Sequence, residues 1–338
     1  MVLSGTGRTA VASVTGKFGM DDAERVTNAG QVSGEVRLPV FGHPVHFRTN
    51  SPAVRAVIEE WYGYWRGLRP DLVTGATFTV AVTVDSGDEG GRPPIFDYHL
   101  PTVNELHIET HGSRGLVDVD RCAASADITT ELLEFPDLFR TGLLDTMVLM
   151  LVTSVDRCPV HAAAVFHAGR LVLLVGPSGS GKSTLAYALQ EAGFEVRSDD
   201  AVYVQLRPAP RIWFHRKGIG LLPSAARQFS GLRGAATRVQ ATGKVKVMIP
   251  PVHRPSPEPS EVTPIVCMLE RGHHASMTRI QDGRLRALLD GKNEAGFDRL
   301  ATQRVPVLDW LAHCGGWKLT LSSRAGDAVP FIQELVTT

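Results

Sequence analysis

Gly176, Gly181, Lys182 and Ser183 stand at the spacing G-x-x-x-x-G-K-[ST]. Glycines at those places let the backbone curl so that successive N–H groups face an oxyanion. The lysine adds a mobile positive charge, and the serine hydroxyl can ligate Mg2+. Ser178, Gly179, Ser180 and Thr184 complete the loop, which reads GPSGSGKST. The chemistry expected is the binding of a nucleotide's phosphates, with ATP and Mg2+ as the ligands. Soon after come two adjacent carboxylates, Asp199 and Asp200. One reading of "SDD" is a polar turn after a strand, which acidic residues favour. The other is a pair of functional carboxylates beside the phosphates.

The elements around these residues decide whether they can meet. The all-apolar run "LVLLV" before the loop suits a central strand covered on both faces. "KSTLAYALQEA" then reads as a helix whose N-terminus faces the anion. Gly193 is placed to end that helix in a left-handed conformation. "FEVRS" follows as a strand. A helix of about ten residues climbs ~15 Å. A five-residue strand returns ~16 Å. The chain therefore comes back to the sheet it left, and a helical crossover of this kind joins parallel strands. Asp199 and Asp200 are expected at the strand's carboxyl end, where α/β proteins bind ligands. Adjacent strand residues point opposite ways, so the two should divide their labour.

The stretch "VHAAAVFHAGRLVLLVGPSGSGKSTLAYALQEAGFEVRSDDAVYV" resembles the core of the HPr kinase/phosphorylase family and its HPr-kinase-like relatives. His161, the loop from Gly176 to Ser183, Gly193 and the Asp199–Asp200 pair occur in that family's order. "KGIGLLPSAARQFSG" is similar to its Gly-x-Gly-Ile signature. The resemblance spans about residues 158–235. It implies an α/β fold with an HPr-kinase/PEP-carboxykinase-like P-loop core sheet and a small N-terminal α+β lobe. It also implies a kinase that transfers the γ-phosphoryl of ATP to a hydroxyl, foremost a serine of a protein or precursor peptide. Asp200 would be the base, Asp199 would help Ser183 hold Mg2+, and His161 and Lys182 would lie at the phosphates. His161 also has an ordinary reading as a strand histidine bonded to backbone.

Two departures qualify the resemblance. His161 is followed by Ala162 where the family has glycine. Before the Gly-x-Gly, where the family carries a metal-associated glutamate, the chain reads "FHRKGIG", with His215, Arg216 and Lys217. A cation cannot replace a carboxylate on Mg2+, but Arg216 or Lys217 could grip a phosphate. Lys244 and Lys246 share strand parity, which would put both on one face toward a phosphate or an acidic substrate; a lysine-blunted edge strand is the alternative.

Other functions stay open. GPSGSGKST is also typical of transporter and motor ATPases of the ABC class, but the chain carries neither an LSGGQ-like signature nor an apolar strand ending in Asp-Glu. A small-molecule or RNA hydroxyl kinase on the same core, and a nucleotide-binding regulator without transfer activity, are further readings.

Composition narrows the field. The 338 residues are 43% hydrophobic and 21% charged, with 35 basic against 35 acidic side chains. That balance describes a soluble protein and argues against nucleic acid as partner. Cys122, Cys158, Cys267 and Cys314 lie far apart, as expected of reduced thiols in a cytoplasmic protein. "GLLDTMVLMLVTSV" contains Asp145 and reads as a buried helix, so no membrane partner is expected. An oligomer is compatible with the resemblance.

The expected organisation is a flexible tail over 1–30, the α+β lobe over 31–155 and the P-loop domain over 156–338. In the lobe, Ser51 suits a helix N-cap and Pro52 the first helical position, with Val54, Ile58 and Trp61 as the apolar stripe. Trp61, Tyr62, Tyr64 and Trp65 read as core packing, with a peptide-binding surface as the alternative. His273 and His274, adjacent on a turn, do not make a metal site.

Overall fold

The computed structural model describes residues 34–86, 93–215, 218–240, 243–252, 256–281, 283–290 and 301–337. The expected tail over 1–30, part of the "DSGDEGGRPP" loop, and both Arg216 and Lys217 lie outside the described residues. The protein is mixed α/β and divides into two compact units. One takes the residues up to Arg66 together with Pro70–Val152; the other takes Gly67–Arg69 together with Thr153–Thr338.

The first unit is built on a seven-stranded sheet. Its strands are β1 (Gly34–Val40), β2 (His43–Thr49), β3 (Phe78–Asp85), β4 (Asp97–Thr102), β5 (Glu105–Thr110), β6 (Ser113–Asp118) and β7 (Ala123–Thr129). Their order is β1-β2-β3-β7-β6-β5-β4. The β2–β3 and β3–β7 pairs are parallel and the others antiparallel.

Helix α1 (Pro52–Tyr62) connects β2 to β3. Ser51 caps it, its hydroxyl accepting the Val54 amide at 3.4 Å. Its core face is Val54, Ile58 and Tyr62 rather than the expected Trp61. Trp61 instead lies under Arg140, whose guanidinium carbon is 3.9 Å from the ring centroid. Tyr62 and Trp65 are fully buried, so this aromatic cluster packs the core.

Helix α2 (Pro136–Val155) is long and apolar enough to span a membrane, yet 78% of its 18-residue apolar window is buried in the protein. Inside it, Arg140 donates to Asp145 Oδ2 at 2.8 Å and the Tyr62 hydroxyl to Asp145 Oδ1 at 2.5 Å, so this buried charge is paired and hydrogen-bonded.

The second unit begins with β8 (Cys158–Val160), β9 (Ala162–His167) and β10 (Arg170–Val175), followed by α3 (Lys182–Glu191) and β11 (Glu195–Ser198). Next come β12 (Val202–Gln205), β13 (Arg211–Phe214), β14 (Ile219–Leu221), the short α4 (Pro223–Ala226), β15 (Thr237–Val239) and β16 (Val245–Ile249). The chain continues with β17 (Ile265–Arg271), β18 (Ser276–Arg279), α5 (Arg284–Asp290), α6 (Ala301–His313), β19 (Gly316–Leu321) and α7 (Val329–Thr337).

The main sheet runs β11-β9-β10-β17-β19-β18. As the "LVLLV" run demands, β10 is buried on both faces. Leu171, Leu173 and Val175 join a cluster containing α5 and α6 residues such as Leu285, Leu289 and Leu311. Val172 and Leu174 join one with Leu185 and Leu189 of α3 and Ile332 of α7.

The crossover through α3 joins parallel strands, but β11 does not lie beside β10. Strand β9 is antiparallel to both and sits between them. The tight turn at Ala168–Gly169 folds β9 directly onto β10, so the returning strand can only dock one position further out. Two three-stranded sheets, β13-β12-β8 and β14-β16-β15, complete the unit.

Candidate active site

Strand polarity brings the expected residues to one sheet edge. β10 ends at Val175 and opens into the loop 176–183. Ala162, the first residue of antiparallel β9, is paired with Val175, which puts His161 just past the strand at the same edge. β11 runs parallel to β10 and ends at Ser198, so Asp199 and Asp200 emerge there too.

The loop has the curl its glycines predict. Gly179 and Gly181 have φ of 81° and 107°, and the Ser180 amide bonds Pro177 O at 3.0 Å. Gly181 is the N-cap of α3, and Leu185 N closes the first helical bond onto Gly181 O at 2.9 Å. The helix thereby presents its N-terminal amides to the loop's concavity. Lys182 is buried, its Nζ donating to Gly176 O at 2.8 Å and Pro177 O at 3.2 Å. Ser180 and Thr184 are buried, Ser183 is half-buried, and Ser178 and Gly179 face solvent.

The two aspartates face opposite environments. Asp199 is 4% exposed, whereas the Asp200 side chain is 45% exposed. Asp199 Oδ2 accepts the Gly220 amide at 2.9 Å, while its buried Oδ1 makes no hydrogen bond. Burial pushes the Asp199 carboxyl above its ordinary range. The Gly220 amide and the nearby Ser183 hydroxyl pull it back, the Asp200 charge raises it, and Lys246 lowers it. His161 Nε2 lies 3.5 Å from Asp200 Oδ1, within reach of a charge interaction when the imidazole is protonated.

Gly220 and Lys246 arrive together because β14 pairs with β16, with Gly220 opposite Met248 and Leu221 opposite Val247. A β-carbon on Gly220 would stand 2.9 Å from Lys246 Cδ and 3.3 Å from its Nζ. Only glycine lets the lysine cross this strand toward Asp199. Lys244 does not share that position: β16 starts at Val245, and Lys244 sits exposed in the preceding turn, its carbonyl accepting the Gln240 amide.

One contributor is not singled out by sequence: the Gly220 amide, visible only as part of a Gly-x-Gly signature.

The site fits Mg2+. A buried carboxylate oxygen without a hydrogen bond lies near the phosphate-loop serine, an oxygen set that suits a cation keeping most of its remaining ligands as water and phosphate. Among the described residues no three His, Cys, Asp or Glu side chains cluster as an all-protein metal cage. The cysteines are free, and burial pushes the Cys158 thiol up to about 11 and Cys267 to about 12, which keeps them inert.

A family model described as ABC transporter matches residues 162–288, well under half of the chain. A search of curated proteins finds no match. The matched stretch holds the whole phosphate loop, α3, β11 and the aspartate pair. The match supports a P-loop ATPase-type core within residues 162–288, for which ATP, usually with Mg2+, is the ligand it suggests.

Proposed function

We propose that this protein is an ATP- and Mg2+-dependent phosphotransferase acting on a hydroxyl, with serine of a protein or peptide as the acceptor. The observation that carries the proposal is the split of the aspartate pair at the phosphate loop: one carboxylate buried beside Ser183, its neighbour half-exposed beside His161. A pure hydrolase needs to position water. An exposed carboxylate at the lip of the loop instead offers a proton acceptor to a hydroxyl brought in from outside.

Phosphoryl transfer is mostly positioning and charge neutralisation. Asp199 and Ser183 would hold Mg2+, which supplies charge neutralisation on the phosphates when bound. Lys182 exchanges its loop carbonyls for phosphate oxygens. Asp200 orients the acceptor hydroxyl and takes its proton, as that oxygen bonds to the γ-phosphorus and the bond to the β-phosphate oxygen breaks. His161 steadies the Asp200 carboxylate. Lys246 balances the negative charge that Asp199 brings into a buried place.

A second reading, ATP hydrolysis without an acceptor, is favoured by the ABC transporter match. Against it, the strand parallel to β10 ends in Leu269–Glu270–Arg271 rather than Asp-Glu, and Glu270 is engaged by Lys318 at 2.8 Å. Incubating the protein with γ-labelled ATP, Mg2+ and serine-containing peptides separates the two. Label on serine supports transfer; label released only as inorganic phosphate supports hydrolysis and sinks the kinase.

A further inference from the structure

The aspartate pair lies on the β9–β11 flank of the phosphate loop. The other flank is made by β17, which runs parallel to β10 with Val175 opposite Met268, so that Arg271 ends at the same edge as the loop. Its guanidinium lies against Gly181. A β-carbon there would stand 2.7 Å from Arg271 Nη2 and 3.1 Å from Cζ. Arg271 Nη1 donates to Ser322 O at 3.3 Å.

That anchor is itself fixed. Ser322 is 5% exposed; its Oγ accepts the Arg324 amide at 3.1 Å and lies 2.6 Å from Asp327 Oδ2. Strand alternation turns the neighbouring Glu270 to the other face, where it meets Lys318 at 2.8 Å and the Thr320 hydroxyl at 3.0 Å. Arg271, an exposed residue, therefore has no carboxylate partner among the described residues. A planar cation, oriented by one backbone carbonyl and held against the glycine of a phosphate loop, is set up to receive phosphate oxygens in bidentate fashion.

We propose that Arg271 is a nucleotide-binding residue that grips the diphosphate remaining with the nucleoside, from the flank opposite the acid pair. This rests on the reading of Asp200 as the base. The phosphoryl that moves must face Asp200, so the part of the nucleotide that stays behind leaves the loop on the β17 side. A cation on the diphosphate strengthens donor binding and also meets the charge that grows on the leaving β-phosphate oxygen during transfer. Arg271 should therefore govern nucleotide affinity, with a smaller effect on turnover at saturating ATP.

The test is calorimetric titration of the full chain with ADP in Mg2+, comparing wild type with Arg271→Met and Arg271→Lys. Steady-state transfer is measured in parallel. Arg271→Met should weaken ADP binding by about 10–100-fold, the range of a lost hydrogen bond to a charged group. Arg271→Lys should recover part of that, and turnover at saturating ATP should fall by less than ADP affinity does.

ADP affinity unchanged in Arg271→Met overturns the proposal while leaving the kinase reading intact. Lowered turnover with unchanged affinity also overturns it, by putting the arginine on the reactive side. A wild-type chain that transfers nothing but loses ADP affinity on Arg271→Met keeps the binding role and removes the kinase reading. A wild-type chain that binds no ADP overturns both.

Discussion

Asp199→Asn should separate what the fold prefers from what the site requires. The Asp199 carboxylate is nearly sealed from water, yet it accepts one hydrogen bond, from Gly220 at 2.9 Å, and its Oδ1 accepts none. A buried polar oxygen left without a partner costs roughly 1–3 kcal/mol. Asparagine keeps the Gly220 bond through its amide oxygen, sheds the charge and offers an N–H₂ toward the Ser183 hydroxyl. The nucleotide-free variant should therefore be more stable by about 1–2 kcal/mol, which is roughly 2–8 °C in melting temperature for a unit of this size.

With ADP and Mg2+ the order should narrow or reverse. Ligand at a hundredfold its dissociation constant stabilises wild type by about 2.7 kcal/mol, and a variant without the carboxylate gains much less.

The pH dependence has a definite sign. Burial raises the native pKa of Asp199 above the unfolded value near 3.8, so the native state holds a proton that the unfolded chain has released. Wild-type stability from this group is therefore greatest below 3.8 and is lost as pH rises through the raised native pKa. The advantage of Asp199→Asn should be absent in acid and should grow as pH rises through the raised native pKa. Scanning fluorimetry across pH, with and without ADP and Mg2+, reads all of this. A variant that melts below wild type without nucleotide, or that gains as much from ADP and Mg2+, refutes the reasoning.

Two further outcomes follow from named contacts. Tyr62→Phe removes the hydroxyl that donates to buried Asp145 at 2.5 Å, and denaturant titration should show a loss of about 1–3 kcal/mol. Gly220→Ala places a methyl 2.9 Å from Lys246 Cδ, which only has to bend away. Its melting temperature should hold, while transfer falls as the Lys246 charge moves away from Asp199; equal transfer would remove Lys246 from the site.

The strand-loop-helix core was legible because its signals are local. A five-residue apolar run, fixed glycines and a glycine-terminated helix each specify their own geometry, and Leu173 and Leu174 duly face opposite clusters. Asp199 and Asp200 do face different environments, but they lie just past the end of β11, where strand parity does not decide it. What escaped depends on partners far along the chain. The β9 strand between β10 and β11 follows from a hairpin that outcompetes the crossover for the edge of β10. Lys246 comes within electrostatic range of Asp199 only through the register of β14 on β16, and Arg271 meets Gly181 only because β17 docks on β10. Strand β7, "AASADIT", has little intrinsic preference for extended structure and is held by β3 and β6 on either side. Trp61 misled because α1 buries residues four apart, at 54, 58 and 62, and leaves position 61 to Arg140.

The measurement that tests the central claim most directly is the comparison of Asp200→Asn with wild type in two assays, phosphoryl transfer to a serine peptide and binding of ADP with Mg2+. The Asp200 side chain is 45% exposed, so its replacement should leave the fold and the phosphate loop intact. Turnover should fall by about 10²–10⁴-fold, the range for a general base, with ADP affinity within about threefold of wild type. Full turnover in Asp200→Asn, or turnover lost only in proportion to ADP binding, would contradict it.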